Sequence, residues 1–242
     1  NGTSAEHTLT IQNTSSLANT RIIQSYTDSV ATNTINANTT LEYTKPISSG
    51  TEIRYIILNK YNAIINGATL KTTTSGTSKE YGISIPSSST TGRIVINEGS
   101  TIDTTGIAVN NNGSTRRGNI PAVEINGDNT NIKSRKNYAV YNNLNADVNI
   151  NAGTISISNS VILNDNGIAL DKYNQVHTSA ITANNNYWGN NTYANVGKDI
   201  KVDNWVIMNA SFTPADAVRG DEISIVATFD LLNSTSGITK FE

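Results

Sequence analysis

A short phrase returns along this chain at a nearly constant interval, and any fold must accommodate that recurrence. Its reference copy is Ile150-Asn151-Ala152-Gly153-Thr154-Ile155: an aliphatic residue, Asn, a variable position, Gly or a substitute, then a Thr/Ser step to another aliphatic. Other copies are Ile35-Asn36-Ala37-Asn38-Thr39-Thr40-Leu41, Ile65-Asn66-Gly67-Ala68-Thr69-Leu70, Ile96-Asn97-Glu98-Gly99-Ser100-Thr101-Ile102, Ile125-Asn126-Gly127-Asp128-Asn129-Thr130 and the degenerate Ile181-Thr182-Ala183-Asn184. The leading isoleucines are 30, 31, 29, 25 and 31 residues apart. A period of that size marks a stacked-repeat architecture, in which each unit buries its apolar face only against its neighbours.

The unit is built from strands. Runs such as Arg93-Ile94-Val95-Ile96 and Ala146-Asp147-Val148-Asn149-Ile150 alternate at period two, which sets aliphatic side chains on one face. The Asn and Gly that follow tolerate a left-handed backbone, so the chain bends there. A second strand begins at Leu70, Ile102, Ile132 and Ile155, and a third phrase occurs once per repeat: Tyr81-Gly82-Ile83-Ser84-Ile85, Thr105-Gly106-Ile107-Ala108-Val109, Tyr138-Ala139-Val140-Tyr141 and Asn166-Gly167-Ile168-Ala169-Leu170. Three short strands and three bends in about 30 residues make one coil of a parallel β-helix. Stacked coils turn the inward Ile, Val and Leu into continuous columns. They also predict a ladder of side-chain amides from Asn36, Asn66, Asn97, Asn126 and Asn151.

Residues 1–50 read as an N-terminal cap grading into the first coil, 51–201 as the β-helix proper, and 202–242 as the start of a different β segment. Two polar insertions, Lys71 to Lys79 and Asn110 to Asn119, read as flexible loops leaving the rod. The aliphatic repeat ends where Asn184-Asn185-Asn186-Tyr187-Trp188-Gly189-Asn190-Asn191 begins, so Tyr187 and Trp188 are placed as a roof over the open core. Beyond it, Trp205 to Phe212 and Glu222 to Leu231 read as strands that open a β-sandwich, with too few residues following to complete one of immunoglobulin type.

The Asn-Asn-Tyr-Trp-Gly-Asn-Asn phrase, followed by Asp203-Asn204-Trp205-Val206-Ile207, Phe212-Thr213-Pro214 and Gly220-Asp221-Glu222-Ile223, resembles the large adhesin-like surface proteins of methanogenic archaea. Those carry a pectate-lyase-like right-handed β-helix followed by bacterial Ig-like repeats. The specific part of the resemblance covers roughly residues 181–232. It implies export, a surface stalk, and attachment to other cells or glycans, and it supplies no catalytic residues. The expected fold is therefore all-β: a right-handed parallel β-helix with three short strands per coil and a partial Ig-like β-sandwich segment at the C-terminus, read as an excised segment of something larger.

Composition bounds the function. A net charge of −2 gives no electrostatic footprint for nucleic acid or an anionic membrane. The absence of cysteine excludes disulfides and thiol chemistry, and no apolar run reaches membrane-spanning length. Asn-X-Ser/Thr sequons at Asn1, Asn13, Asn38, Asn112, Asn190, Asn209 and Asn233 fit an exported protein, and equally arise by chance in so Asn-, Ser- and Thr-rich a chain. The rival class is a polysaccharide lyase or glycosidase, which needs paired carboxylates or a Ca²⁺-binding acidic cluster. Here the acids are scattered singly as Asp103, Glu124, Asp128, Asp147, Asp165 and Asp171, and neither His7 nor His177 lies in a catalytic phrase. No metal or cofactor is expected. The best ligand-binding candidates are Arg116, Arg117, Lys133 and Arg135, with Lys136 beside them, near Tyr138 and Tyr141: cations beside aromatic faces, which suits acidic sugars. The alternatives are solvated loop charge and an inert spacer. The expected partner is a glycan or protein on another cell, met by a monomeric, extracellular module.

Overall fold

The computed structural model describes residues 9–14, 16, 20–25, 32–47, 53–73, 75–89, 91–113, 121–127, 129–142, 154–158, 160–165, 168–172, 181–192, 196–197, 200, 202–233 and 237–240, with 121–122, 154–158, 172, 181–182, 233 and 237–240 described by their backbone alone. The strands are β1 (Leu9–Asn13), β2 (Arg21–Ser25), β3 (Thr32–Asn36), β4 (Thr39–Tyr43), β5 (Arg54–Asn59), β6 (Asn62–Asn66) and β7 (Thr69–Lys71). They continue as β8 (Glu80–Ile85), β9 (Arg93–Asn97), β10 (Thr101–Thr104), β11 (Val109–Asn111), β12 (Pro121–Ile125), β13 (Thr130–Ser134) and β14 (Val140–Asn142). The last are β15 (Thr154–Ser158), β16 (Ser160–Asn164), β17 (Leu170–Lys172), β18 (Ile181–Asn184), β19 (Asn204–Thr213), β20 (Ser224–Asn233) and β21 (Gly237–Lys240). No helix occurs among the described residues.

Every third strand joins the same sheet. Sheet A runs β1-β4-β7-β10-β13-β16, sheet B β2-β5-β8-β11-β14-β17 and sheet C β3-β6-β9-β12-β15-β18, each six strands deep and parallel throughout. The chain is thus a parallel β-solenoid with three strands per coil. Its first rung, β1, β2 and β3, lies within residues 1–50 and supplies one strand to each sheet.

Register explains the repeat. Ile11, Leu41, Leu70, Ile102, Ile132 and Ile162 form one column in sheet A. Ile23, Ile57, Ile83, Val109, Val140 and Leu170 do so in sheet B, and Ile35, Ile65, Ile96 and Ile125 in sheet C. Ile11 is 41% exposed on the first rung, whereas Leu41 above it is 0%; a column is buried only where it has neighbours on both sides. Each such burial is worth about 1.5–3 kcal/mol, which no isolated strand this short could collect.

The bend from sheet C into sheet A is the one that the phrase encodes. A left-handed residue sits there on the first four coils, Asn38 (φ 63°), Gly67 (φ 71°), Gly99 (φ 73°) and Gly127 (φ 99°), and again on the sixth, Asn185 (φ 61°). At Gly127 a Cβ would also meet Glu98 at 3.0 Å, so the close stacking of bends favours Gly on two grounds.

Two expectations are corrected by register. The strand stacked on β12 is Ile155-Ser156-Ile157, with Ile125 opposite Ile157; Ile155 is therefore a sheet C residue, and the sheet A partner of Ile132 is Ile162. Ile157 in turn faces Ala183, and Ser158 faces Asn184. The reference phrase at Ile150 is out of phase with the others because Ile155-Ser156-Ile157-Ser158 offers the same alternation one short step later. Likewise Lys71 to Lys79 is not a loop leaving the rod. Thr72 and Gly76 are buried, Thr105 Oγ1 donates to Thr73 O at 2.5 Å and Lys136 Nζ to Gly76 O at 2.8 Å.

The C-terminal part is a three-stranded antiparallel sheet, β19-β20-β21. Its first strand belongs partly to the rod. Parallel bridges join Val161 to Tyr187 and Asn186 to Trp205, so the sheet A column continues from Ile162 through Trp188 to Ile207 in register. Trp205, Val206 and Ile207 are buried, and from Met208 onward the ribbon is exposed.

Candidate functional site

The amide ladder is real but shorter than expected. Asn66 Nδ2 donates to Asn36 Oδ1 at 3.2 Å and Asn97 Nδ2 to Asn66 Oδ1 at 2.7 Å. Asn126 leaves the row: its Nδ2 donates to Glu124 Oε1 at 2.6 Å, and Glu124 is ion-paired with Arg93. An ionised carboxylate is a stronger acceptor than an amide and wins the competition. Asn151 lies outside the described residues, and the register gives the next place to Ser158. Asn184, one rung further, accepts backbone N–H bonds from Asp203 at 2.9 Å and from Asn204 at 3.4 Å, so the row ends by catching the returning chain.

Trp188 is 0% exposed. Rather than ending the core it forms an inner layer: the register places Ile207 opposite it on the next strand, and Ile200, Val202 and Trp205 of the returning chain belong to the same core cluster. Tyr187 remains partly exposed and meets Phe229 of the ribbon edge-to-face at 6.4 Å. Asn191 clips the ribbon to the rod, accepting from Met208 N at 2.7 Å and donating to Met208 O at 2.8 Å.

The cation-and-aromatic constellation separates. Lys133 Nζ pairs with Asp165 at 3.2 Å, and Arg135 with Asp103 at 2.6 Å. Both pairs link neighbouring rungs of sheet A on the diagonal: Asp103 stands opposite Lys133 and reaches Arg135 two residues on, and Lys133 stands opposite Leu163 and reaches Asp165 two residues on. Arg116 and Arg117 lie outside the described residues. Tyr138 and Tyr141 stack on one another, centroids 4.4 Å apart and 9° from parallel, with Asp171 as their charged neighbour. Burial pushes the Tyr138 phenol above its ordinary pKa, and the charge of Asp171 and a hydrogen bond to it add to the rise. Cations do lie over rings elsewhere: Arg21 over Tyr55 at 5.9 Å and Lys60 over Tyr61 at 5.7 Å.

Two features were not found from sequence. The first is a line of aromatic residues along the leading edge of sheet B, where the chain arrives from sheet A. Arg21, Tyr55 and Tyr81 occupy successive rungs, and the register of Ile83, Val109, Val140 and Leu170 continues the line through Ile107, Tyr138 and Ile168. Tyr55 and Tyr81 pack edge-to-face at 5.6 Å and 89°. Burial, with Tyr55 and Tyr141 nearby, pushes the Tyr81 phenol up to about 12. A Tyr at the head of two of the four third-strand phrases, Tyr81 and Tyr138, was the available signal.

The second is a fully buried ion pair. Arg54 and Glu80 are both 0% exposed and stand opposite each other in register. Glu80 also accepts from Ile47 N at 2.9 Å and Thr77 N at 3.2 Å, while Arg54 donates to Lys45 O at 2.6 Å and lies 3.9 Å from the centroid of the Tyr43 ring. Burial pushes the Glu80 carboxyl up and outweighs the Arg54 charge that pulls it down. The pair ties Lys45, Ile47 and Thr77 to the rod, which helps hold the predicted loop against it.

Among the described residues no group of three or more His, Asp or Glu could hold a metal ion, and no helix is long and apolar enough to cross a membrane. No family model matches the chain, and no curated protein or solved structure matches it either. Its class, a parallel β-solenoid continuing into an antiparallel ribbon, therefore rests on its own strand pairing.

Proposed function

We propose that the chain is a non-enzymatic module of an extracellular surface adhesin, presenting or mediating attachment to cells or surface glycans. One observation carries this reading: among the described residues, six of the rod's carboxylates are committed to partners across the rungs. Glu42 pairs with Lys71, Glu80 with Arg54, Asp103 with Arg135, Glu124 with Arg93 and Asp165 with Lys133, and Asp171 engages Tyr138. A glycosidase or lyase needs acids aimed at a common substrate; acids that close charge pairs along a stack serve rigidity instead. The Asn-Asn-Tyr-Trp-Gly phrase closing the solenoid supports the adhesin resemblance, and with it export and surface display. We take the coil as right-handed, the hand that parallel crossovers strongly favour. The ribbon, with Met208, Ala210 and Phe212 paired to Phe229, Ala227 and Ile225, has the single apolar face of an Ig-like sandwich sheet.

The test is adhesion of fluorescent beads carrying the chain to a panel of microbial cells, beside an assay for new reducing ends or unsaturated products on pectin, alginate and β-glucan with and without Ca²⁺. Adhesion without turnover is expected. Turnover abolished by Asp165→Asn or Asp171→Asn would overturn the reading in favour of an enzyme.

A further inference from the structure

Taking the chain as an attachment module, we infer that the leading edge of sheet B, where the chain arrives from sheet A, binds an extended, uncharged polysaccharide, with sugar rings resting on Tyr55, Tyr81, Tyr138 and Tyr141. The argument begins with what this surface offers. Tyr55, Tyr81, Tyr138 and Tyr141 are all partly exposed, although Arg54, Ile56, Glu80 and Ala139 beside them in sequence are buried. A phenol ring in that position presents an apolar π-face and a wet hydroxyl, the combination suited to a pyranose with its C–H face and its hydroxyl rim.

Length favours a polymer. Tyr55 and Tyr138 stand three rungs apart, about 14 Å at the ordinary strand spacing. The span passes over Ile107, which is buried and offers little surface, and beyond Tyr138 comes the exposed Ile168. This span is longer than one sugar ring and follows the axis of the rod.

Charge favours a neutral one. Of the described cations expected to attract acidic sugars, Lys133 is satisfied by Asp165, Arg135 by Asp103 and Lys136 by Gly76 O; the cation on the strip itself, Arg21, lies over the Tyr55 ring at 5.9 Å. The Tyr81 phenol is raised by burial and by two other tyrosines. At the Tyr138 end the neighbouring charge is the Asp171 carboxylate, which repels a uronate.

Backbone chemistry disfavours a peptide strand. Gly82 N–H donates to Ile107 O at 3.0 Å, Ala108 N–H to Tyr138 O at 3.3 Å, and Gly106 N–H to Glu80 O at 2.9 Å. The main chain along the strip is consumed by the rungs above and below. An added strand would find side chains but no ladder, whereas a glycan keeps its hydroxyls in water.

The experiment uses the whole chain and soluble, defined polymers: β-1,4-mannan, mixed-linkage β-glucan and arabinogalactan as neutral probes, polygalacturonate and alginate as acidic ones. Affinity electrophoresis and calorimetry rank them, and saturation-transfer NMR with irradiation of the aromatic region reads ring contact directly on the unmodified protein. At least one neutral polymer should bind more tightly than either acidic one. Its sugar C–H protons should take up saturation, and Tyr81→Ala or Tyr141→Ala should weaken binding about tenfold, equivalent to about 1.4 kcal/mol, while Tyr81→Phe stays within about threefold. Preference for the acidic polymers, binding unchanged in both alanine variants, absence of saturation transfer, or no neutral binding would each overturn the inference. The bead assay runs in parallel: cells that adhere while neutral glycans fail would sink the strip and leave the attachment reading standing, whereas failure of both would remove both.

Discussion

Trp188→Ala is the substitution that most directly tests how the rod is closed. The indole lies between Ile162 and Ile207 in the sheet A column and is 0% exposed. A buried Trp covers about 150–250 Å², which at 25 cal/mol per Å² is about 4–6 kcal/mol of transfer free energy. Alanine retains a part of that, and the layer above can partly collapse, so the expected loss is about 3–5 kcal/mol. Against a domain stability of about 5–15 kcal/mol that is a large fraction.

The loss should be unevenly distributed. Coils contact only their neighbours, so damage to one end need not unfold the other. Hydrogen exchange followed by mass spectrometry separates the cases. The amides of Ile162, bonded to Tyr187 O at 2.9 Å, of Val206, bonded to Asn186 O at 2.9 Å, and of Gly197, bonded to Leu170 O at 2.7 Å, should lose protection first. Those of Ile83 and Val109, bonded to Ala108 O and Ala139 O at 2.9 Å each, should lose it later. Trp188→Phe should recover most of the stability. A change under about 1 kcal/mol by urea titration, the cost of an ordinary surface substitution or little more, would mean that the indole closes nothing. Unchanged exchange together with lost glycan binding would make it a sugar platform, as an exposed Trp would be.

The remaining expectations concern single interactions. Glu80→Gln leaves the buried Arg54 charge without its counter-ion and should cost about 3–5 kcal/mol in denaturant titration, whereas replacing both residues by apolar ones should recover much of that. Because the folded-state pKa of Glu80 is raised, the folded state holds its proton more tightly. Its contribution is present below the unfolded pKa and fades as pH rises through the folded one, so stability against pH should flatten in Glu80→Gln. Tyr81, pushed up to about 12, should add a second fall in stability between its ordinary pKa near 10 and about 12, absent in Tyr81→Phe and visible by absorbance titration. Asn66→Ala removes two side-chain bonds and should cost about 1–3 kcal/mol by thermal unfolding, against a small effect for Asn126→Ala at the ladder. Phe212→Lys with Ile225→Lys, on the exposed ribbon where these residues are 56% and 67% accessible, should leave the rod's melting unchanged and reduce light scattering on concentration.

The fold was legible where side-chain chemistry and backbone geometry ask for the same residue. Asn38, Gly67, Gly99 and Gly127 each satisfy a left-handed bend, so the phrase around them marks the same corner each time, and the third-strand phrases containing Ile83, Val109, Val140 and Leu170 align residue for residue. Legibility failed where that double demand lapses. Ile150-Asn151 and Ile157-Ser158 both offer an aliphatic followed by a small polar residue, and only the pairing of Ile125 with Ile157 separates them. The 71–79 stretch misled for a different reason. Its Thr, Ser and Gly look solvated in sequence, yet a charge pair 26 residues apart, Arg54 and Glu80, helps hold it down.

The candidate site follows the same logic with the opposite outcome. Lys133, Arg135, Tyr138 and Tyr141 are neighbours in sequence, and sequence proximity suggested a single constellation. A three-sheet coil converts proximity along the chain into separation around the rod: Lys133 belongs to sheet A, Tyr141 to sheet B. What stands together instead is what recurs at the coil period, Asp103 with Arg135 and Asp165 with Lys133 on one side, Tyr55 with Tyr81 on the other. Charge is therefore spent between rungs while aromatic surface accumulates along one edge of sheet B. A rod of this kind grips by repetition along its axis, and a ligand long enough to span several rungs gains from each one, as linked binding events do. Shortening the ligand should then weaken binding steeply until it no longer reaches from Tyr138 to Tyr55, and lengthening it beyond that span should add little; a tetrasaccharide-to-dodecasaccharide series of whichever neutral polymer binds would display that plateau, and affinity independent of length would count against a continuous strip.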